Sequence, residues 1–152
     1  MAWTIKCTSC QAEARARNIV DLLEHHTDES GWFVCPNGHS AYIEKSFPLQ
    51  EGGNPWEPFL RGAIRFRAAK DIYQPFVFLV SNTPDGPVTD AWFSYYKDLS
   101  QAGGRLKLGY GPGGPPVLGK LDILELVRQM VALGCLSADE VRSVLVKHGM
   151  PW

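Results

Sequence analysis

Two short stretches of the chain carry residue types that can bind a metal. Cys7-Thr8-Ser9-Cys10 sets two thiols two residues apart, and Cys35-Pro36-Asn37-Gly38-His39 answers with a thiol and an imidazole around a tight turn. Thiolate and neutral imidazole are the donors of a closed tetrahedral zinc site. A Cys-x-x-Cys turn lets the chain double back so that amide hydrogens point at the sulfurs. Cys7, Cys10, Cys35 and His39 are therefore expected to hold one structural Zn²⁺ ion. Four protein ligands leave no place for the water that a catalytic zinc keeps, and no His-Glu-x-x-His helix accompanies them. His25 and His26 are an alternative source of the fourth ligand, although a histidine pair at a helix end also suits the helix dipole.

On those motifs, residues 3–45 resemble a zinc ribbon or zinc knuckle. The resemblance implies a metal-stapled module with a structural role. Two features depart from the usual ribbon. Gly38 stands at the third position after Cys35 and His39 supplies the donor, in place of a second Cys-x-x-Cys. The segment between the two turns also reads as helix, where a ribbon has strands.

The elements that must position these residues follow from periodicity. Trp3, Ile5 and Cys7 alternate with Thr4 and Lys6, which predicts a short half-buried strand. Ala12, Ala16, Ile19, Val20 and Leu23 share one helical face, predicting a helix from about residue 12 to His25-His26. Residues 32–35 and 39–45 read as two strands of a hairpin turned at Asn37-Gly38. Residues 48–58, rich in proline and glycine, read as a linker. Residues 59–69 fit either period, with the strand preferred from residue 63. Residues 76–81 are apolar on both faces and predict a central strand. Thr89 or Asp90 can cap a helix running to about Ser100, and residues 105–110 alternate as a strand. A helix over residues 120–133 stops at Gly134, and Ser137 with Glu140 opens a last helix by a capping box. The fold class is α+β: a zinc-ribbon-like module over 1–47, a linker over 48–58, and an α+β domain over 59–152 ending in two helices.

Other residues also carry groups capable of chemistry. Arg61, Arg65, Arg67 and Lys70 fall in ten residues without an acid, and Arg105 and Lys107 lie on another expected strand. Together they form a candidate nucleic-acid surface, with Phe66 and Tyr73 available to stack bases. The metal module itself is not basic: Lys6, Arg15, Arg17 and Lys45 face six acids over residues 1–47, a net of −2. Gly111 and Gly119 bound a glycine- and proline-rich loop, in which Gly114, Gly119 and Lys120 match the spacing of a phosphate loop. Leu121 stands where a hydroxyl must hold magnesium, and two prolines remove amide donors, so nucleotide hydrolysis is not expected. Ser81, Asp85 and His148 suggest no triad, and Cys135 suits a buried inert thiol.

Composition sets the outer bounds. Fifteen cations against 16 acids give no global sign for a polyanion partner, and 45% apolar residues are those of a folded chain. Apolar runs are too short to span a bilayer, and the first residues lack a signal-peptide pattern, so a cytoplasmic location without membrane contact is expected. The reading is a non-enzymatic zinc-binding interaction protein with a nucleic-acid- or protein-binding surface and no catalytic residues. The final two helices offer a homodimer surface. The alternative is an enzyme or small-ligand protein that uses the loop of residues 111–119, with zinc as scaffold only.

Overall fold

The computed structural model describes residues 2–44, 49–51, 54–56, 58–66, 73–84, 86–97, 107–109 and 120–147. It is a mixed helix-and-sheet protein, so the α+β class holds. In chain order the elements are β1 (Trp3–Lys6), β2 (Glu13–Ala16), α1 (Ile19–His25), β3 (Tyr42–Glu44), β4 (Leu49–Glu51), β5 (Asn54–Trp56), β6 (Phe59–Arg65), β7 (Tyr73–Ser81), β8 (Asp90–Lys97), β9 (Lys107–Gly109), α2 (Lys120–Ala132) and α3 (Ala138–Lys147). Seven strands form one antiparallel sheet in the order β2-β1-β3-β6-β7-β8-β9, and β4 pairs with β5 separately.

One apolar row shows why these strands align. Ile5 sits opposite Ile43, Ile43 opposite Leu60, and Leu60 opposite Val80. All four are fully buried. Removing each such side chain from water contributes about 1.5–3 kcal/mol, and a one-residue slip would turn the whole row toward solvent. Ile19, Leu22 and Leu23 of α1 join the same cluster, together with Trp3, Phe33 and Phe78. Asn18 caps that helix by accepting from the Asp21 amide at 2.9 Å. The last six residues of β7 are all buried, as the two-faced apolar pattern of residues 76–81 requires of a central strand.

Four local expectations change. Residues 12–16 are not the start of a helix: Glu13–Ala16 is β2, paired to β1 from Trp3 opposite Ala16 to Lys6 opposite Glu13. Gln11, at φ 59°, turns the chain back in the left-handed region, so the helix begins only at Ile19. Asp90–Lys97 is a strand and not a capped helix, because eight residues pair with β7. The capping chemistry of Thr89 and Asp90 serves a turn instead, with Asn82 Nδ2 donating to Thr89 Oγ1 and Asp90 Oδ2. Residues 32–35 pair only through isolated bridges, Trp32 to Gly62, Phe33 to Thr27 and Val34 to Ser40, while β3 lies between β1 and β6. Residues 59–65 are strand throughout, earlier than the preferred start at residue 63.

The chain divides into two compact units, Met1–Val117 and Leu118–Trp152. Because β3 pairs directly with β6, strands from both sides of residues 48–58 share one sheet. The expected boundary there falls inside the first unit. In the second unit, Gly134 (φ 73°) ends α2, with the Cys135 and Leu136 amides turning back to the Met130 carbonyl. The expected capping box opens α3: the Glu140 amide donates to Ser137 Oγ at 3.1 Å, and Ser137 N donates to Glu140 Oε2 at 2.6 Å. Among the described residues no helix is long and apolar enough to cross a membrane.

Candidate metal centre

The β1–β2 hairpin carries the first turn at its tip. Cys7 N donates to the Ala12 carbonyl and Gln11 N to the Cys7 carbonyl, each at 3.0 Å, which folds Thr8, Ser9 and Cys10 into a compact loop. The second turn is closed by Gly38 N donating to the Cys35 carbonyl at 2.9 Å and Cys35 N to the His39 carbonyl at 2.8 Å. Gly38 has φ 80°, a conformation that glycine adopts without a Cβ penalty. The strand pairing of β1 with β3 brings the two turns to the same end of the sheet.

There the ligand atoms of Cys7, Cys10, Cys35 and His39 all lie within 4.8 Å of one another. The Cys10 and Cys35 sulfurs are 3.7 Å apart. A tetrahedron with zinc–sulfur bonds of about 2.3 Å has sulfur–sulfur edges of about 3.8 Å, so this separation fits a shared cation. Cys7 and Cys35 are buried at 2% and 3% exposure within the hydrophobic cluster, Cys10 is half-buried and His39 exposed. The set can hold one metal ion with two ligands rooted in the core and two at the surface.

Electrostatics prepare the site for a cation. The His39 imidazole, then the Ala12 amide and the Asn37 carboxamide, hold the Cys10 thiol down at about 6. Asn37 Nδ2 donates to Cys10 Sγ at 3.4 Å, a contact from the second turn to the first. Burial pushes the Cys35 thiol up, opposed by the amides of Asn37 and His39 that point at its sulfur. The shift favours the Cys10 thiolate, and Cys35 would give up its proton to a bound metal. When bound, the ion would supply a fixed cross-link between the hairpin tip and the second turn.

The other sequence candidates are placed as follows. His25 Nδ1 lies 3.3 Å from Asp21 Oδ1, and neither His25 nor His26 joins the cluster. Of the six cations, Arg61 and Arg65 are on β6, but they differ. Arg61 marks a bulge between Leu60 and Gly62. Its guanidinium lies over the Trp32 ring at 4.7 Å and over the Tyr42 ring at 5.0 Å, and it donates to the Ala41 carbonyl at 3.3 Å. Arg65 is exposed. Arg67, Lys70 and Arg105 lie outside the described residues, and only the backbone of Lys107 is described, in β9. The loop of residues 111–119 also lies outside them. A cleft of about 320 Å³ adjoins the first turn, lined by Lys6, Cys7, Thr8, Gln11, Tyr42, Phe59 and Pro84, so it shares Cys7 with the cluster.

Sequence reasoning missed Asn37 as a hydrogen-bond donor to the Cys10 sulfur, since Asn-Gly reads first as turn chemistry. It also missed the Trp32–Arg61–Tyr42 stack, whose members lie far apart in the chain. No protein-family model, no curated protein and no solved structure matches this chain.

Proposed function

We propose that this is a zinc-binding interaction protein in which a ribbon-like metal centre is structural. The observation that carries the reading is the convergence of four soft and borderline donors from two turns, with the Cys10–Cys35 edge at 3.7 Å. Three thiolates and one imidazole favour zinc over the oxygen-seeking divalent cations. A filled tetrahedron leaves no coordination site for substrate, so the ion's contribution is to stability. Metal binding in such modules is worth on the order of 10–16 kcal/mol, comparable to a whole domain's stability.

The test is metal analysis of the purified, reduced chain, followed by thermal melts with and without a chelator. One zinc per chain and a melt lowered by chelation are expected; a metal-free chain with an unchanged melt overturns the reading.

The partner is best read as protein. Exposed Leu121, Ile123 and Leu124 crowd the start of α2 and Val144 and Val146 the end of α3, whereas Arg61 is occupied within the sheet. Fluorescence anisotropy with single- and double-stranded oligonucleotides should show no salt-dependent binding. Binding that weakens steeply with salt and is reduced by Arg65→Ala would reverse that choice in favour of nucleic acid.

A further inference from the structure

We propose that the metal centre is also a peroxide-sensitive switch, in which oxidation joins Cys10 to Cys35 and expels the ion. The inference rests on the metal reading above and adds a regulatory chemistry to it. Its basis is an asymmetry of access. Cys7 and Cys35 are buried, while Cys10 is half-buried and His39 exposed, so of the three sulfurs a small oxidant meets that of Cys10 first. The Cys35 sulfur waits 3.7 Å away, on the turn whose Asn37 also donates to Cys10.

The chemistry balances with a hydroperoxide as the oxidant. The Cys10 thiolate attacks one peroxide oxygen, the O–O bond breaks, and hydroxide leaves to give a sulfenic acid. The Cys35 thiolate then attacks that sulfur, the S–S bond forms, and a second hydroxide leaves. Two electrons pass from the sulfur pair to the peroxide, and two protons from solvent turn the hydroxides into water. The ion loses two of its four ligands, and Cys7 with His39 alone no longer close a tetrahedron. The new bond links the same two turns that the ion linked. The oxidised chain therefore keeps its sheet, whereas the reduced chain stripped by a chelator has neither cross-link.

The experiment uses the full chain, reduced and loaded with zinc, titrated with hydrogen peroxide. Released zinc is read with a chromogenic chelator, and the cysteines are mapped by mass spectrometry after alkylation. The expected result is one zinc released per chain in step with the loss of two of the four free thiols. Cys10 should be found bonded to Cys35, and dithiothreitol should restore zinc binding. A thermal melt of the oxidised, zinc-free chain should lie above that of the chelator-stripped reduced chain. Zinc release with Cys10 ending as sulfinic acid, or with a bond from Cys7 to Cys10, overturns the switch and leaves the metal reading intact. A reduced chain that holds no zinc before peroxide is added overturns the metal reading, and the switch with it.

Discussion

Replacing Arg61 by alanine separates a structural cation from a nucleic-acid contact. The guanidinium touches two aromatic rings, at 4.7 Å and 5.0 Å from their centroids, and each contact is worth about 1 kcal/mol for a half-buried arginine. The hydrogen bond to the Ala41 carbonyl adds on the order of 1 kcal/mol. Truncation returns roughly 1 kcal/mol of side-chain rotational freedom, so Arg61→Ala should cost about 2 kcal/mol. For a chain of this length that corresponds to a fall in Tm of about 6–8 °C. Arg61→Lys should recover less than half, because an ammonium lacks the planar face that a guanidinium lays on aromatic rings. Arg65→Ala, at an exposed position near the end of β6, should stay within about 0.5 kcal/mol. The assay is thermal unfolding followed by near-ultraviolet circular dichroism, which reports the rings themselves. Equal melting temperatures for Arg61→Ala and the parent, or equal losses for Arg61→Ala and Arg65→Ala, would show that the ring contacts do not stabilise the fold.

Three further outcomes follow from other contacts. Gly31 has φ 99° and an added Cβ would lie 2.6 Å from the Ala63 carbonyl oxygen, so Gly31→Ala should cost at least about 2 kcal/mol; an unchanged urea midpoint would contradict this. Asn37→Ala removes a donor from the Cys10 sulfur, so in the metal-free chain the Cys10 thiol should move up from about 6 toward the ordinary thiol range; a thiolate absorbance titration with the same midpoint would count against it. The Ser137 amide and hydroxyl hold the Glu140 carboxyl below its usual range, so its contribution to α3 is present at neutral pH and is lost as pH falls through that lowered value. Acid titration of helix content should show this loss in the parent and a smaller pH dependence in Glu140→Gln.

The candidate site was legible because its donors sit in two compact turns whose spacing carries the chemistry locally. The same holds for β1, the core of β7, α2 and the Ser137–Glu140 box. What sequence could not supply was the choice between local options that tertiary pairing decides. Ala12, Ala14 and Ala16 satisfy a helix as well as a strand, and only the ladder to β1 selects β2. Thr89 and Asp90 look alike as a helix cap or as a turn anchor, and the eight-residue pairing with β7 decides between them. Left-handed Gln11 gave no warning, because such turns are ordinarily signalled by glycine or asparagine. Arg61 reads in sequence as one more surface charge. It sits at the register shift in β6 and meets rings contributed by residues 32 and 42, which only the tertiary fold brings together.

The place of β3 has a consequence for the order in which the protein is made. Synthesis runs from the amino terminus, so both cysteine turns emerge before any of β6, β7 or β8 exists. A metal ion captured at that moment would fix the β1–β2 hairpin and bring β3 onto β1 while the outer edge of β3 is still bare. That edge has unpaired backbone donors and acceptors and is a template for the next strand to arrive, which is β6. The ion would then act as a starting clamp for sheet growth in the order the ribosome delivers it. A fragment cut after β3 would keep the clamp and lose its natural partner, leaving a sticky edge where the full chain has a continuous sheet.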